Sequence, residues 1–354
     1  MRRIHTTIGD LAQLQLPVGM KELNMSASGT KRVASPAPIS TTPALMHHSN
    51  TPQLTAYHPT PPPPYHTTTL PHYHTSPLAR RLSVTAQFDA PQFGVTVLGN
   101  SSGFDSKHET TGILIWVGGR GILVDPPVDC IALLHKAGIP ARLVTAVIIS
   151  HCHADHDSGA LQWLLHERKL DLLTTPTILG SFLRKYSALL DLPTEELREL
   201  FVFNAARLGE RIHYRGADFT FHYGVHTIPS IGFEVFVSGK SIFYSGDTCI
   251  DPDVLNRIHG EGAMPAARRD RFLKRDWHHS LVLHEAGVPP IHTPVSLFQD
   301  LPDDIKSRLL LVHTSRDGVP EGLRIAEAGA DSTVILDVEQ TAVSEAVSIL
   351  DAFE

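Results

Sequence analysis

The sequence has few cysteines and no long apolar run, and both absences narrow what the protein can be. Its 354 residues include only three cysteines, too few and too scattered for the disulfide framework of a secreted domain. No uninterrupted apolar stretch of about 18 residues occurs, so we expect no membrane-spanning helix and no membrane partner. The start, Met-Arg-Arg-Ile-His, is basic but lacks a following apolar segment, which argues against secretion and favours an intracellular location.

Residues 1–86 show no sustained apolar periodicity and are rich in Pro, Ser, Thr and His. Such a stretch cannot bury enough apolar surface to offset the entropy lost on ordering, so we predict a disordered extension. Its basic, hydroxyl-rich composition is also typical of an organellar transit peptide. The location therefore stays open between the cytoplasm and an organelle. We predict that residues 87–354 form one folded domain.

Charge is divided unevenly between these two parts. The whole chain has a formal net charge of −7, whereas residues 1–86 contain seven Lys or Arg and two acidic residues. The predicted domain is therefore strongly acidic, which argues against broad electrostatic binding of long nucleic acids. A small anionic substrate, held by bound metal ions, remains compatible with this charge.

Apolar runs of strand length alternate with helical patterns through residues 87–354, which predicts an α/β fold. We predict strands over residues 93–98, 113–117, 122–125, 143–150, 172–175, 210–214, 219–223, 233–238, 241–244, 280–283, 309–312 and 334–337. We predict helices over residues 130–137, 160–167, 177–190, 194–200, 321–328 and 341–352, and a solvated helix face within the charged residues 261–276.

The segment His151-Cys152-His153-Ala154-Asp155-His156 places four potential metal ligands directly after the apolar strand 143–150. We expect these residues to occupy a short loop, where side chains two positions apart can converge. Imidazole nitrogens combined with a carboxylate favour zinc or a neighbouring transition metal over calcium or magnesium. Asp157 either accepts a hydrogen bond from a ligand imidazole or starts the following helix.

This motif resembles the signature of the metallo-β-lactamase superfamily. The resemblance implies a four-layer αββα sandwich and a two-metal site with three further ligands, each after a strand. The matching segments are Gly224-Val-His226, Ser245-Gly-Asp247 and Leu311-Val-His313. By this resemblance His226 completes the site of His151 and His153, Asp247 bridges the two metals, and His313 joins Asp155 and His156 at the second metal. A His-x-His start implies two Zn²⁺ ions, and Mn²⁺ or Fe also suit the donors.

Two further segments resemble the ribonuclease Z-like branch of that superfamily. Leu283-His284-Glu285-Ala286 resembles its His-Glu-Ala segment, and His292 resembles its leaving-group histidine. The resemblance implies that His292 donates a proton to the departing oxygen while Glu285 orients the imidazole. Only 20 residues separate His226 from Asp247, which leaves no room for an arm that grips tRNA. Residues 284–292 are also similar to hydrolases joined to cyclic-nucleotide-binding domains.

These observations predict a dinuclear zinc hydrolase, a phosphodiesterase that cleaves a nucleotide or short RNA through metal-activated hydroxide. In this hypothesis Asp155 orients the attacking water or accepts its proton. One alternative is a thioester, lactone or other ester hydrolase of the same fold, which needs no acid at His292. Another is a non-catalytic metal module that binds a nucleotide. The sequence leaves a homodimer open.

Overall fold

Two mixed β-sheets lie at the centre of the structure, a computed structural model that describes residues 88–166, 170–315 and 319–338. The predicted disordered extension over residues 1–86 and the predicted final helix over residues 341–352 lie outside these described residues. Within the described ranges, no helix is long and apolar enough to cross a membrane.

The described residues form thirteen strands and seven α-helices. The strands are β1 Phe93–Gly99, β2 Gly112–Val117, β3 Arg120–Val124, β4 Val144–Ile148, β5 Leu170–Thr174, β6 Phe201–Ala205, β7 Arg211–Tyr214, β8 Ala217–Tyr223, β9 Ile231–Val237, β10 Lys240–Tyr244, β11 Leu281–Glu285, β12 Leu309–Val312 and β13 Val334–Ile335. The helices are α1 Cys130–Lys136, α2 Ala154–His166, α3 Pro176–Leu190, α4 Thr194–Arg198, α5 Pro252–Gly260, α6 Ala266–Leu273 and α7 Asp303–Lys306.

The first sheet has the strand order β13-β1-β2-β3-β4-β5-β6. Strands β1, β2 and β3 are antiparallel neighbours, whereas β3, β4, β5 and β6 run parallel. Parallel neighbours require crossover connections, and α1, α2 and α3 provide them. Helices on one face and a second sheet on the other leave no solvated face, which explains why β2 is buried at every position.

The second sheet has the strand order β12-β11-β10-β9-β8-β7. Strands β7 to β10 are antiparallel, and β10, β11 and β12 are parallel. Strand β8 alternates in burial, with Ala217, Phe219 and Phe221 facing the core. The β9–β10 hairpin turns at Ser238 and Gly239, both with positive φ, as a two-residue hairpin turn requires.

The inner faces of the two sheets share one apolar core. Phe219, Phe221 and Phe233 from the second sheet belong to the same cluster of buried residues as Trp116 from the first sheet. Trp163 of α2 joins this cluster from the helical layer. The architecture is the four-layer αββα sandwich that the sequence predicted.

The predicted helix over residues 321–328 is wrong. Gly322 has φ +88°, and the chain then runs extended, with Ile325 paired to Leu311 and Ala328 paired to Val97. These two bridges tie the segment to β12 and to β1, where it satisfies backbone groups at the sheet margins. Pairing with strands distant in sequence outweighs the weak local preference of this segment for helix.

Several other elements also differ from the sequence prediction. Strand β6 and helices α5 and α7 were not predicted, because each is short. The charged residues 261–276 do include a helix, α6, but they are not simply a solvated face. The Arg275 guanidinium lies 4.5 Å from the Phe243 ring, and Arg268 donates a hydrogen bond to the Gly224 carbonyl.

Candidate metal centre

The predicted ligands lie at one edge of the sandwich, where strands of both sheets end. The chain reaches His151 after β4, Asp247 after β10 and His313 directly after β12. His226 lies in the connection between β8 and β9. Because the carboxyl ends of the parallel strands meet at this edge, residues far apart in sequence become neighbours.

Helix α2 starts earlier than predicted, at Ala154. Asp155 and His156 therefore lie in its first turn rather than in a loop, which corrects the sequence prediction. Only His151 and His153 remain in the preceding loop. Acidic residues are favourable at a helix N-terminus, where they offset the partial positive charge of the free N–H groups.

The first ligand group comprises His151, His153, His226 and Asp247. His153 Nδ1 lies 3.1 Å from His151 Nε2 and 3.0 Å from His226 Nε2. Asp247 Oδ2 lies 3.7 Å from His151 Nε2 and 3.8 Å from His226 Nε2. Four donors around one zinc ion at its usual bond length stand about 3.3 Å apart, so the spacing fits zinc.

Hydrogen bonds on the far side of two imidazoles orient their lone pairs toward this centre. His151 Nδ1 lies 2.9 Å from Ser150 Oγ, which itself donates to Asp125, so His151 Nδ1 carries the proton. His226 Nδ1 donates to the Ile291 carbonyl at 3.2 Å. The Nε2 atoms of both rings are then left without protons, as metal binding requires.

The second ligand group comprises Asp155, His156 and His313. Asp155 Oδ2 lies 3.2 Å from His313 Nε2 and 3.6 Å from His156 Nε2. Asp247 Oδ2 lies 3.3 Å from His156 Nε2 and 3.6 Å from His313 Nε2. One carboxylate oxygen of Asp247 is therefore within reach of both ligand groups.

The electrostatics of the centre favour a cation. Burial lowers the pKa of His151 and lowers that of His226 to about 4. Burial also disfavours charge on Asp247, but the surrounding histidines outweigh it and hold the pKa of that carboxyl well below its usual range. The Asp247 and Asp125 carboxylates likewise overcome burial at His156 and raise its pKa.

A buried polar atom without a partner supports the same conclusion. His156 Nε2 is buried and has no hydrogen-bond partner within the described part of the chain. An unpaired buried nitrogen costs free energy unless something occupies the space that it faces. A metal ion between His156, Asp155 and Asp247 would satisfy it, so the residues present fit a bound transition metal.

Asp125 is a site residue that the sequence analysis missed. It is fully buried at the end of β3 and accepts hydrogen bonds from Ser150 N, Ser150 Oγ, His156 Nδ1 and Tyr244 Oη at 2.7, 2.6, 3.1 and 2.8 Å. Its carboxylate thereby orients the His156 ring and, through Ser150, the His151 ring. Its only sequence signal is its position before Pro126-Pro127, at the end of the predicted strand 122–125.

Asp157 performs neither of the two roles considered for it. Its carboxylate accepts hydrogen bonds from Lys185 Nζ and from Tyr186 Oη of α3, so it connects α2 to α3. Lys185 also donates to the Cys152 carbonyl, between the ligands His151 and His153. The Cys152 thiol lies against the Ile178 carbonyl of α3, away from the ligand atoms.

His292 and Glu285 lie beside the centre. His292 Nδ1 lies 3.0 Å from Glu285 Oε2 and 3.8 Å from Asp247 Oδ2. Glu285 Oε1 accepts the Thr293 backbone N–H at 2.8 Å, which fixes the carboxylate. Burial lowers the pKa of His292, but the hydrogen bond and charge of Glu285 outweigh it and raise that pKa.

His292 is also close enough to Asp247 and His313 to be a third candidate ligand set. Its Nδ1 is engaged by Glu285, however, which leaves Nε2 as the atom available to a substrate. His284, in contrast, is not at the site. Its ring packs among Trp277 and Phe298 on the outer face of the second sheet.

The fold and the edge that carries these side chains define a protein with an αββα sandwich of the metallo-β-lactamase type. Within that class, residues 93–327 match the family described as Anti-Pycsar protein Apyc1. This match spans about two thirds of the sequence, and the chain belongs to that family.

Three relatives illustrate the range of similar proteins. The chain is 53% identical over 269 residues to the cGMP-dependent 3′,5′-cGMP phosphodiesterase A of Dictyostelium discoideum, covering 75% of this chain and 31% of that protein. It is 37% identical over 271 residues to the cAMP/cGMP-dependent 3′,5′-cAMP/cGMP phosphodiesterase B of the same organism, covering 75% and 25%. It is 23% identical over 239 residues to the Anti-Pycsar protein Apyc1 of Saccharibacillus brassicae, covering 61% and 88%. The chain thus spans less than a third of the two Dictyostelium proteins.

Proposed function

We propose that this protein is a metal-dependent hydrolase that opens the phosphodiester ring of 3′,5′-cyclic nucleotides with two zinc ions as cofactors. The observation that carries the proposal is the position of Asp247. Its Oδ2 lies 3.3 to 3.8 Å from histidine nitrogens of both ligand groups. A carboxylate shared between two such groups would hold two metal ions close together, as two-metal hydrolysis uses them.

Each of the two ligand groups would hold one of the two metal ions. His151, His153 and His226 would hold one ion, Asp155, His156 and His313 the other, and Asp247 both. Zinc suits these donors best, while manganese or iron would accept the same set. When bound, the ions would supply Lewis acidity toward the phosphoryl oxygens and lower the pKa of a coordinated water.

The side chains around the ions have separate tasks in this proposal. Asp155 accepts the Gly103 N–H at 2.9 Å and lies 3.2 Å from His313, so its carboxylate is fixed where it can orient the attacking water. Asp125 keeps His156 in the tautomer that presents Nε2 to the centre. Both tasks depend on hydrogen bonds that a carboxylate accepts.

His292 donates the proton in the bond-breaking step. The oxygen of water forms a new bond to phosphorus while one proton of that water passes to the Asp155 carboxylate, one ring P–O bond breaks, and His292 Nε2 gives its proton to the departing ribose oxygen. Glu285 holds Nδ1 of the same ring at 3.0 Å and stabilises the imidazolium before transfer. The product is a nucleoside monophosphate, with one water consumed.

Two observations support the substrate class: the names of the relatives, and the short stretch of chain between His226 and Asp247. Two relatives that match 75% of this chain are named as 3′,5′-cyclic nucleotide phosphodiesterases. The stretch between His226 and Asp247 consists mainly of the β9–β10 hairpin. A small anionic substrate is therefore part of the proposal, and long nucleic acids and membranes are not; a homodimer stays open.

The test uses the purified full-length protein. We expect two zinc ions per chain by elemental analysis and conversion of 3′,5′-cyclic nucleotides to nucleoside monophosphates by chromatography. Asp247→Ala should lose both metal and turnover, whereas Asp253→Ala, in the first turn of α5, should keep both.

Two other outcomes would overturn the proposal. Hydrolysis of thioesters or lactones with intact cyclic nucleotides would assign the protein to another branch of the superfamily. Tight binding of a cyclic nucleotide by the zinc-loaded protein, without turnover, would make it a binding module.

A further inference from the structure

The side chain of Phe104 is the most exposed large apolar group among the described residues, with a relative exposure of 98%. It lies at the tip of a turn in which Asp105 N donates to the Ser102 carbonyl at 3.0 Å. Single exposed apolar residues are common and need no explanation by themselves. Phe104 differs because the turn that carries it contacts the metal centre.

The residue before Phe104 contacts a predicted metal ligand directly. Gly103 N donates to Asp155 Oδ2 at 2.9 Å, and the same oxygen lies 3.2 Å from His313 Nε2. A Cβ on residue 103 would stand 2.7 Å from the Asp155 carboxyl carbon, so the approach requires glycine. Phe104 follows Gly103 directly, so the Cα atoms of the two residues are about 3.8 Å apart.

Hydrogen bonds to the Asp105 carboxylate fix the conformation of this turn. The Asp105 carboxylate accepts hydrogen bonds from Ser101 Oγ, Lys107 N and His108 N, and it lies 2.8 Å from His108 Nδ1. These hydrogen bonds hold the pKa of Asp105 down to about 2, so it remains an acceptor at physiological pH. A fixed turn that presents a bare aromatic ring beside an ion site is suited to bind a planar apolar group.

A second loop with exposed apolar side chains borders the other ligand group of the metal centre. Val288 and Ile291 are exposed on the loop that leads to His292, and the Ile291 carbonyl accepts a hydrogen bond from His226. The turn at Phe104 thus contacts the second ligand group, and this loop contacts the first. Both margins of the ion site therefore carry exposed apolar side chains, which suits a ligand with an anionic centre and a flat apolar end.

We propose that Phe104 stacks on the nucleobase of the substrate while the metal centre holds the cyclic phosphate. This inference rests on the proposed function and adds a residue that binds the base. Stacking on an aromatic ring tolerates every base, because each base has a π-face, and its loss weakens binding substantially. Phe104 would therefore contribute to substrate binding without selecting strongly among bases.

The test compares two substrates in the unmodified protein and in variants of Phe104. One substrate is a 3′,5′-cyclic nucleotide, and the other is the 3′,5′-cyclic phosphate of ribose without a base. In the full-length protein, Phe104→Ala should raise KM for the nucleotide by about 5- to 100-fold and change kcat little. For the base-free substrate, KM should change less than about twofold, and Phe104→Trp should keep the wild-type KM for both.

A matched control is Leu189→Ala, which removes another exposed apolar side chain at the far end of α3 and should leave both KM values unchanged. Equal effects of Phe104→Ala on both substrates, or no effect on either, would overturn the inference. A change from dimer to monomer by light scattering, with both KM values unchanged, would assign Phe104 to self-association and overturn it too. Failure of the proposed function looks different, since the unmodified protein would then cleave neither substrate.

Discussion

Asp125→Asn offers a sharp test of how the metal ligands are positioned. The Asp125 carboxylate is fully buried and is not itself a predicted ligand, so the substitution leaves every ligand atom in the chain. Oδ2 accepts from Ser150 Oγ, His156 Nδ1 and Tyr244 Oη, and Oδ1 accepts from Ser150 N. An amide offers one acceptor oxygen where the carboxylate offers two.

The cost can be estimated from these contacts. If the amide oxygen takes the place of Oδ2, the amide nitrogen faces the Ser150 N–H, and two donors then oppose each other. An unpaired buried donor costs about 1–3 kcal/mol of folding stability. Loss of the negative charge behind His156 weakens its basicity, and changes to such supporting groups lower metal affinity by about 10- to 100-fold. That range corresponds to about 1.4–2.7 kcal/mol of binding free energy.

The assay is a competition titration of zinc-loaded protein with a chelator of known affinity, together with urea unfolding of the zinc-free protein. The matched control is Asp171→Asn at the start of β5, since Asp171 also accepts from a tyrosine hydroxyl, that of Tyr214 at 2.6 Å. Asp171 lies at the opposite end of its strand from the ligand edge. We expect weaker zinc binding only in Asp125→Asn.

Equal zinc affinity in Asp125→Asn, Asp171→Asn and the unmodified protein would refute the reasoning. It would mean that His156 and His151 keep their orientation without the carboxylate. Loss of stability in both variants with unchanged zinc affinity would show that Asp125 supports the fold alone.

Three further predictions concern other residues. His292→Ala should slow cleavage of a cyclic nucleotide by about 10²- to 10⁴-fold in kcat, yet hardly slow bis(p-nitrophenyl) phosphate, whose leaving group needs no proton; equal losses would remove His292 from the role of acid. Glu285→Gln should keep the zinc content by elemental analysis but lower kcat on the cyclic nucleotide, because Glu285 contacts His292; an unchanged kcat would contradict its role. Lys185→Met should destabilise the protein by about 1–3 kcal/mol in urea unfolding, because buried Asp157 loses its cationic partner.

The last effect has a defined pH dependence. Burial already raises the pKa of Asp157 in the folded protein, and removal of Lys185 raises it further. A carboxyl with a raised folded-state pKa binds its proton more tightly when folded, so stability falls as pH rises above the unfolded pKa. The destabilisation by Lys185→Met relative to the unmodified protein should therefore be larger at pH 7 than at pH 5. Equal destabilisation at both values would contradict this account of the pair.

Much of the fold could be predicted because buried strands leave a local signal. The runs at 113–117 and 143–150 are apolar and β-branched, and the structure has strands at both places, β2 and β4. The segment 321–328 failed for the opposite reason. Its extended course is set by bridges to Leu311 and Val97, and neither partner is visible in the local pattern.

The sequence by itself determined which residue types follow each strand, and hence the order His151, His153, Asp155, His156, His226, Asp247 and His313 along the chain. The resemblance to the ribonuclease Z-like branch also implied the pairing of Glu285 with His292, whose side chains lie 3.0 Å apart in the structure. Both depend on short motifs, in which a strand fixes the direction of the residues that follow it.

Only the tertiary structure decided that Asp247 lies between the two ligand groups, that Asp125 supports His156, and that Phe104 stands beside Asp155. These relations join residues that are 31 or more positions apart along the chain. Such contacts arise when two sheets pack and bring the carboxyl ends of their strands to one edge. No local pattern records that packing, because it depends on the summed burial of a core drawn from the whole domain.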